Sequence, residues 1–198
     1  MVLSQPDIQK AVEDGHISFS PALEDNQWGE ASVDLRLGFS FTVLRNDLTG
    51  VKVSVANGLR TLGVGDFWRT KELQEKDDLG KAETYTVDPG EFVLAMTHER
   101  VTVPRNMIAL IEGRSTYARV GLSMHQTAPW IQPGWDGQII LEIMNNGPLQ
   151  IELTPLKDRP CQLTFFTLSS PLPEDMAYGA RKTDVYQGQT HPLRHERK

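Results

Sequence analysis

"SVDLRLGFSFTVL", residues 32–44, is the stretch that decides the fold. In its first half, apolar Val33, Leu35 and Leu37 alternate with polar residues. Successive side chains of a strand point to opposite faces of a sheet, so this alternation predicts a strand with one buried face. The chain is therefore expected to build its core from sheets.

Further short apolar runs downstream of this stretch are also predicted to be strands. They lie at residues 84–87, 91–97, 107–111, 138–144, 149–153 and 161–167. Turns that contain proline or glycine separate these runs. Short strands at close spacing favour a sandwich, a jelly roll or a barrel, so the predicted fold class is all-β.

One helix is predicted upstream, at the N-terminus. Ser4 and Asp7 form the pattern of a capping box, in which a side chain near the first turn binds a free backbone amide. Ile8 and Ala11 begin an apolar stripe with helical spacing, and Gly15 is the expected stop. The sequence thus predicts a mainly β chain with a short N-terminal helix.

The length of 198 residues fits one domain, which we assign to residues 1–198. Residues 66–83 are highly charged and are interpreted as a solvated excursion, with a short exposed helix or a functional lid as alternatives. Residues 179–198 form a polar tail without apolar periodicity. Such a tail is disordered unless something orders it.

The composition limits the possible partners and the compartment. A net charge of −6 argues against a nucleic-acid or membrane surface, because both need a broad positive field. Cys161 is the single cysteine, which excludes a disulfide framework and fits a reducing compartment. The sequence lacks both a membrane-length apolar run and the pattern of a signal peptide, so a cytoplasmic protein is expected.

Residues 113–119 concentrate groups that bind anions. Glycine allows a close backbone approach, hydroxyl groups donate hydrogen bonds, and Arg114 and Arg119 can form forked bonds to phosphate or carboxylate. The alternative is a surface turn whose arginines pair with nearby acids. Trp135, in the turn at residues 132–137, either lies beside a planar ligand or packs into the core.

Glu142 is the strongest candidate for chemistry. In "GQIILEIMN", residues 137–145, it is a lone carboxylate on a strand whose two faces are otherwise apolar. An unpaired buried carboxylate is costly, so it needs a partner or a catalytic use. A general base and a structural pair, for example with Arg119, are both compatible with the pattern.

The run from residue 112 to residue 153, "EGRSTYARVGLSMHQTAPWIQPGWDGQIILEIMNNGPLQIEL", resembles the core of the dCTP deaminase family, within the trimeric dUTPase-like superfamily. Similarity extends to "SQPDIQKAVEDG" at 4–15, "SVDLRLG" at 32–38 and "DPGEFVLAMTHERVTVP" at 88–104. The resemblance implies a dUTPase-like β-clip or jelly-roll-type barrel. It also implies a homotrimer with sites between subunits.

The resemblance implies hydrolytic deamination of dCTP to dUTP and ammonia without zinc. One cysteine cannot supply the His/Cys/Cys or Cys₃ set of zinc deaminases. Glu142 matches the catalytic glutamate of the family, and Ser115 and Arg119 match the residues that polarise the reacting end. Matches to nucleotide-contacting positions are Arg114, Thr116, His125, Ala128, Gln132, Trp135, Tyr178, Tyr186 and Gln189. The last three lie in the C-terminal segment, and the resemblance implies that this tail closes over the triphosphate. Mg²⁺ is expected on the phosphates, held by nucleotide and water.

Apart from Thr116, which keeps the hydroxyl of the usual serine, three residues depart from the family pattern. Gln132 replaces the aspartate of D-P-G-W, Gln126 replaces a residue that is usually apolar, and Val185 replaces a lysine. Two alternatives therefore stay open: a bifunctional enzyme that continues to dUMP, and a non-catalytic nucleotide-binding regulator. The family also implies dTTP as a feedback inhibitor that acts through residues 125–128.

Overall fold

The computed structural model describes residues 1–48, 50–52, 67–77 and 79–193. The N-terminal helix α1 spans Gln5–Glu13 and begins as predicted. The amide and hydroxyl groups of Ser4 both donate to the Asp7 carboxylate, at 3.2 and 2.6 Å. Gly15 follows the helix with a φ of +74°, a conformation that glycine adopts without strain.

Antiparallel strands make up most of the regular structure in the remaining described chain, and a short helical turn, α2, spans Ser115–Ala118. The mainly β fold with a short N-terminal helix is thus confirmed. In chain order the strands are β1 (Ser18–Ser20), β2 (Val33–Leu35), β3 (Leu37–Leu44), β4 (Trp68–Glu72), β5 (Tyr85–Val87), β6 (Phe92–Thr102), β7 (Met107–Gly113), β8 (Leu122–Ser123), β9 (Trp130–Ile131), β10 (Asp136–Asn145), β11 (Ile151–Leu153) and β12 (Cys161–Thr167).

The described strands form three sheets around one core. The largest has the order β4-β3-β6-β10-β8, and β1 also pairs with β6. The second has the order β2-β12-β7-β9, and β5 pairs with β11 in a small third sheet. Buried residues of all three sheets belong to the same apolar cluster, for example Leu141, Phe165 and Leu153.

The stretch at residues 32–44 is two strands, so the prediction of a single strand is wrong at Arg36. β2 pairs with β12, whereas β3 pairs with β6 in another sheet. Between them Arg36 is buried, and its backbone amide donates to Oε2 of Glu99 at 2.9 Å. Its Nε donates to Oε1 of the same carboxylate at 2.6 Å. The chain changes sheets where this internal ion pair forms.

The buried Glu99 carboxylate has further support from the segment that precedes β2. Gln27 donates to its Oε1 at 3.0 Å and to the carbonyl of Asp34 at 2.8 Å. Arg36 also pairs with Glu24. Charged groups in the interior are tolerated where they are paired and hydrogen-bonded, and this network meets that condition.

Residues 66–83 contain a strand rather than the short exposed helix considered from the sequence. β4 pairs with β3 from Ser40↔Glu72 to Leu44↔Trp68. It is largely exposed, consistent with a solvated excursion, while Leu73 just after it is buried. Asp66 and Asp78 lie outside the described residues. The helix prediction failed because strand pairing with a distant segment outweighed local charge and propensity.

No helix in the described part of the chain is long and apolar enough to cross a membrane.

Candidate active site

Glu142 lies on the outer face of the largest sheet. Along β10, Ile139, Leu141 and Ile143 point into the core, and Glu142 alternates with them. Its neighbour across the sheet is Leu94 on β6. The carboxylate is half-buried in the single chain, so the predicted two-sided burial is only partly present.

The Glu142 carboxylate is held by a backbone group. The amide of Gln126 donates to its Oε2 at 2.9 Å, and Oε1 has no hydrogen-bond partner among the described residues. Within that same part of the chain, neither Glu142 nor Arg119 takes part in an ion pair. The structural Arg119–Glu142 pair considered from the sequence is therefore not present. The Oε1 atom of Glu142 can therefore bind a ligand.

α2 presents the predicted hydroxyl and guanidinium groups on the surface. Ser115, Thr116 and Arg119 are all exposed. α2 contacts β8, and Ser123 of β8 pairs with Met144, two residues beyond Glu142 on β10. The fold thus brings α2 to the end of β10 nearest the carboxylate.

Arg114 is engaged inside the chain. Its Nη2 lies 3.0 Å from Oδ2 of Asp34, and its Nη1 donates to the carbonyl of Arg159 at 3.0 Å. Burial raises the pKa of the Asp34 carboxyl, and the positive charges of Arg114 and Arg159 partly offset this effect. The alternative of an arginine paired with a nearby acid therefore holds for Arg114, and its contact with phosphate stays a prediction.

Tyr117 anchors α2 to the loop before β12, a contact that the sequence did not indicate. Its hydroxyl donates to Oδ1 of Asp158 at 2.7 Å and accepts from the backbone amide of Arg159 at 3.2 Å. Burial raises the pKa of Tyr117, so the hydroxyl stays protonated as a donor. Only the folded chain brings these residues together, because 41 positions separate Tyr117 from Asp158.

The loop at residues 125–128 covers the carboxylate side of β10. His125 bonds through Nε2 to Oε2 of Glu112 at 3.0 Å. Its buried Nδ1 has no hydrogen-bond partner among the described residues. Gln126 and Ala128 are exposed. A ligand at Glu142 would thus meet this loop, as the resemblance implies.

Trp135 packs into the core, which is the structural alternative of the two considered. It is only 8% exposed, and its indole N–H donates to the carbonyl of Gly137 at 3.2 Å. The ring of Tyr178 lies against it, with the two centroids 5.4 Å apart. Gln132 is exposed at the start of the same turn and accepts the amide of Trp135 through its backbone carbonyl.

The tail folds back on this turn. The amide of Gly188 donates to the carbonyl of Asp136 at 2.8 Å, and that of Gln138 donates to the carbonyl of Gln189 at 3.0 Å. Gln189 is buried, whereas Tyr186 is 44% exposed. The partner that orders the described part of the tail is therefore the chain itself. Closure of the tail over a ligand stays a prediction.

A glycine makes this docking possible. At Gly137 an added Cβ would lie 3.0 Å from the amide nitrogen of Gln189. Any larger residue would therefore crowd the tail backbone, which would have to shift by a few tenths of an ångström.

The described residues contain no group of three or more His, Cys, Asp or Glu side chains that could hold a metal ion. Cys161 is fully buried, and burial raises the pKa of its thiol, so it is not poised as a ligand or nucleophile.

Comparison with known proteins places this chain in a family. Residues 2–168 match the dCTP deaminase-like family. A dCTP deaminase of Alteromonas mediterranea is 36% identical over 195 residues, which cover 96% of this chain and 92% of that protein. A protein of Methanothermobacter thermautotrophicus named "dCTP deaminase, dUMP-forming" is also 36% identical, over 193 residues that cover 96% of this chain and 91% of that protein.

A solved structure supports the fold. The crystal structure of 2′-deoxycytidine 5′-triphosphate deaminase from Agrobacterium tumefaciens matches with a TM-score of 0.60 and 21% identity. The match covers 83% of this chain and 47% of that longer chain. The family predicted from the motifs is confirmed: the chain belongs to the dCTP deaminase-like family.

Proposed function

We propose that this chain is a hydrolytic deaminase that converts dCTP and water to dUTP and ammonia. The observation that carries the proposal is the Glu142 carboxylate, held by the Gln126 amide at 2.9 Å with its second oxygen left for a ligand. Membership of the dCTP deaminase-like family supplies the substrate class.

The proposed chemistry needs only proton transfer and positioning. Glu142 takes a proton from water as the water oxygen attacks C4 of cytosine, and it passes that proton to the ring nitrogen. Glu142 then moves the proton of the new C4 hydroxyl to the amino group, so the C4–N bond breaks, ammonia leaves and C4 keeps a carbonyl oxygen. Ser115 on α2 and Arg119 just after it are both exposed, and they contact and polarise the reacting end.

The triphosphate is assigned to α2 and to the tail. Thr116 and the α2 amides donate hydrogen bonds to phosphate. Arg114 also donates to phosphate when it leaves its ion pair with Asp34. His125, Ala128 and Gln132 line the base and sugar, and Tyr178, Tyr186 and Gln189 of the tail close over the phosphates. Trp135, packed in the core, supports the turn that carries Gln132. Val185 stands where the family has lysine, and it cannot donate a charged hydrogen bond to phosphate. The binding free energy of the triphosphate is therefore weaker by about 1.5–3 kcal/mol.

The assembly is proposed to be a homotrimer that acts in the cytoplasm. Ile140, Glu142 and Met144 are half-buried on an outer sheet face that a second copy would cover. Such a contact would exclude water from the Glu142 carboxylate and strengthen its interactions with substrate. The proposal also includes dTTP as a feedback inhibitor that acts through residues 125–128.

The first test measures ammonia and identifies the nucleotide product by chromatography. With dCTP we expect stoichiometric ammonia and dUTP, and little ammonia from CTP, dCMP or deoxycytidine. The absence of ammonia with every cytosine nucleotide, despite dCTP binding, would favour the non-catalytic regulator that Gln126, Gln132 and Val185 suggest.

The same experiment decides between dUTP and dUMP. A bifunctional enzyme is the second candidate, because the relative in Methanothermobacter is named dUMP-forming. Trimeric dUTPases use an aspartate to orient water in the turn where this chain has Gln132, which opposes dUMP formation. We expect dUTP to accumulate without pyrophosphate, and dUMP with pyrophosphate would overturn that part of the proposal.

Metal removal should affect affinity rather than chemistry. Because Mg²⁺ is assigned to the phosphates and not to side chains, chelation with EDTA should raise KM for dCTP severalfold. The zinc chelator 1,10-phenanthroline should leave kcat unchanged. Loss of kcat with phenanthroline, restored by Zn²⁺, would show a catalytic metal and contradict the proposed mechanism.

A further inference from the structure

The side-chain amide of Gln126 joins two strands beside the proposed base. Its Nε2 donates to the backbone carbonyl of Glu142 at 3.1 Å and to Oγ of Ser123 at 3.4 Å. A primary amide has two hydrogens, so both are used. The glutamine thereby fastens the loop to β8 and to β10 at once.

The backbone of the same residue binds the carboxylate of Glu142. The Gln126 amide N–H lies 2.9 Å from Oε2, while the side chain holds the carbonyl of the same glutamate. The amide of Glu142 in turn donates to the carbonyl of Met124 at 3.0 Å. Gln126 therefore contacts Glu142 at both its main chain and its side chain.

These contacts have different consequences if they are lost. The backbone N–H of residue 126 is present whatever the side chain, but its direction depends on where the loop lies. Without the two side-chain bonds, the hydrogen bonds that remain between the described residues of this loop and β10 are the bond from the Glu142 amide to the Met124 carbonyl and the bond from the Gln126 amide to the carboxylate itself. The exposed loop then gains freedom, and the carboxylate loses its fixed orientation.

We propose that Gln126 is a positioning residue, whose side-chain amide fixes the loop so that its backbone N–H holds Oε2 of Glu142 and leaves Oε1 for water. This inference rests on the proposed function. Glutamine is required here for its two donors, whereas an apolar side chain of the same length would fill the space without fixing the loop.

The test replaces Gln126 by methionine, which has similar length and no donor. Two measurements are made: steady-state ammonia release from dCTP, and hydrogen exchange of the residue 126 amide in the nucleotide-free protein. We expect kcat to fall about five- to tenfold with KM within about twofold, and the amide protection factor to fall by a similar factor.

A matched control makes the same change elsewhere. Gln150 donates through Nε2 to Oδ1 of Asp88 at 2.7 Å, outside the site. Gln150→Met should leave kcat and the exchange of residue 126 unchanged. A second variant, Gln126→Glu, places a carboxylate against the backbone carbonyl of Glu142 and adds a negative charge beside the proposed base. Of the two side-chain partners only the Ser123 hydroxyl can donate to it, so it should lose more kcat than Gln126→Met.

The outcomes separate this inference from the proposed function. Unchanged protection in Gln126→Met overturns the inference, and this result needs no activity from the wild type. Reduced protection with unchanged kcat overturns it as well, because the loop would then not orient the base. A wild type that releases no ammonia overturns the proposed function and, with it, the catalytic part of the inference.

Discussion

In the Glu142→Gln variant we expect ammonia release from dCTP to fall by about 10²–10⁴-fold while the nucleotide still binds. An amide cannot take a proton from water, so the proposed base is removed. Its oxygen can still accept the N–H of Gln126, which lies 2.9 Å from the carboxylate in the wild type, so the loop should keep its place. Ammonia assays and titration calorimetry with dCTP measure the two effects.

Glu152 provides the control for this substitution. It is an exposed glutamate on β11, away from the loop at residues 125–128. Glu152→Gln should retain the activity of the wild type. If Glu142→Gln also deaminates dCTP at the wild-type rate, Glu142 is not the base, and the proposed mechanism fails.

The second large effect concerns stability. Arg36→Met should lower the free energy of unfolding by about 3–5 kcal/mol, because it leaves a buried carboxylate without its cationic partner. Glu99 is completely buried, and its ion pair with Arg36 spans 2.6 Å. Urea unfolding followed by fluorescence, at one fixed protein concentration, measures the change.

Two further variants test the cause. Arg100→Met breaks the partly exposed pair with Asp136, and it should cost about 1 kcal/mol or less. The double variant Arg36→Met with Glu99→Leu should recover much of the lost stability, since no unpaired charge remains. If Arg36→Met costs no more than Arg100→Met, the buried pair does not stabilise the junction between the two sheets.

The parts of the fold that could be predicted depend on local patterns. α1 was predicted from Ser4, Asp7 and Gly15, which contact each other or act within a few residues. Each predicted strand from residue 84 onward overlaps an observed one, because alternation and turn residues are also local signals.

The parts that could not be predicted depend on contacts between distant residues. Arg36 looks like an ordinary polar residue of an alternating strand, yet its partner Glu99 lies 63 positions away. β4 forms because residues 68–72 pair with β3, and nothing in their charged sequence indicates it. Contacts between partners this far apart produce no hydrophobic periodicity in the local sequence.

The candidate site shows the same division. Glu142 was identified from its own strand, because a lone carboxylate among apolar residues is a local anomaly. Its actual contact, the backbone amide of Gln126, depends on how a loop crosses β10. The sequence alone therefore identified the Glu142 carboxylate, but it suggested an ion pair with Arg119 as the contact.

The charged strand β4 also affects how copies of the chain meet. It lies at the end of the largest sheet, and Arg69, Lys71 and Glu72 are all exposed there. No described strand pairs with its outer edge. An open edge is a template for the strands of neighbouring molecules, and charged side chains discourage such pairing because adding a strand would dehydrate them. The exposed charges of β4 thereby disfavour edge-to-edge pairing between copies of the chain.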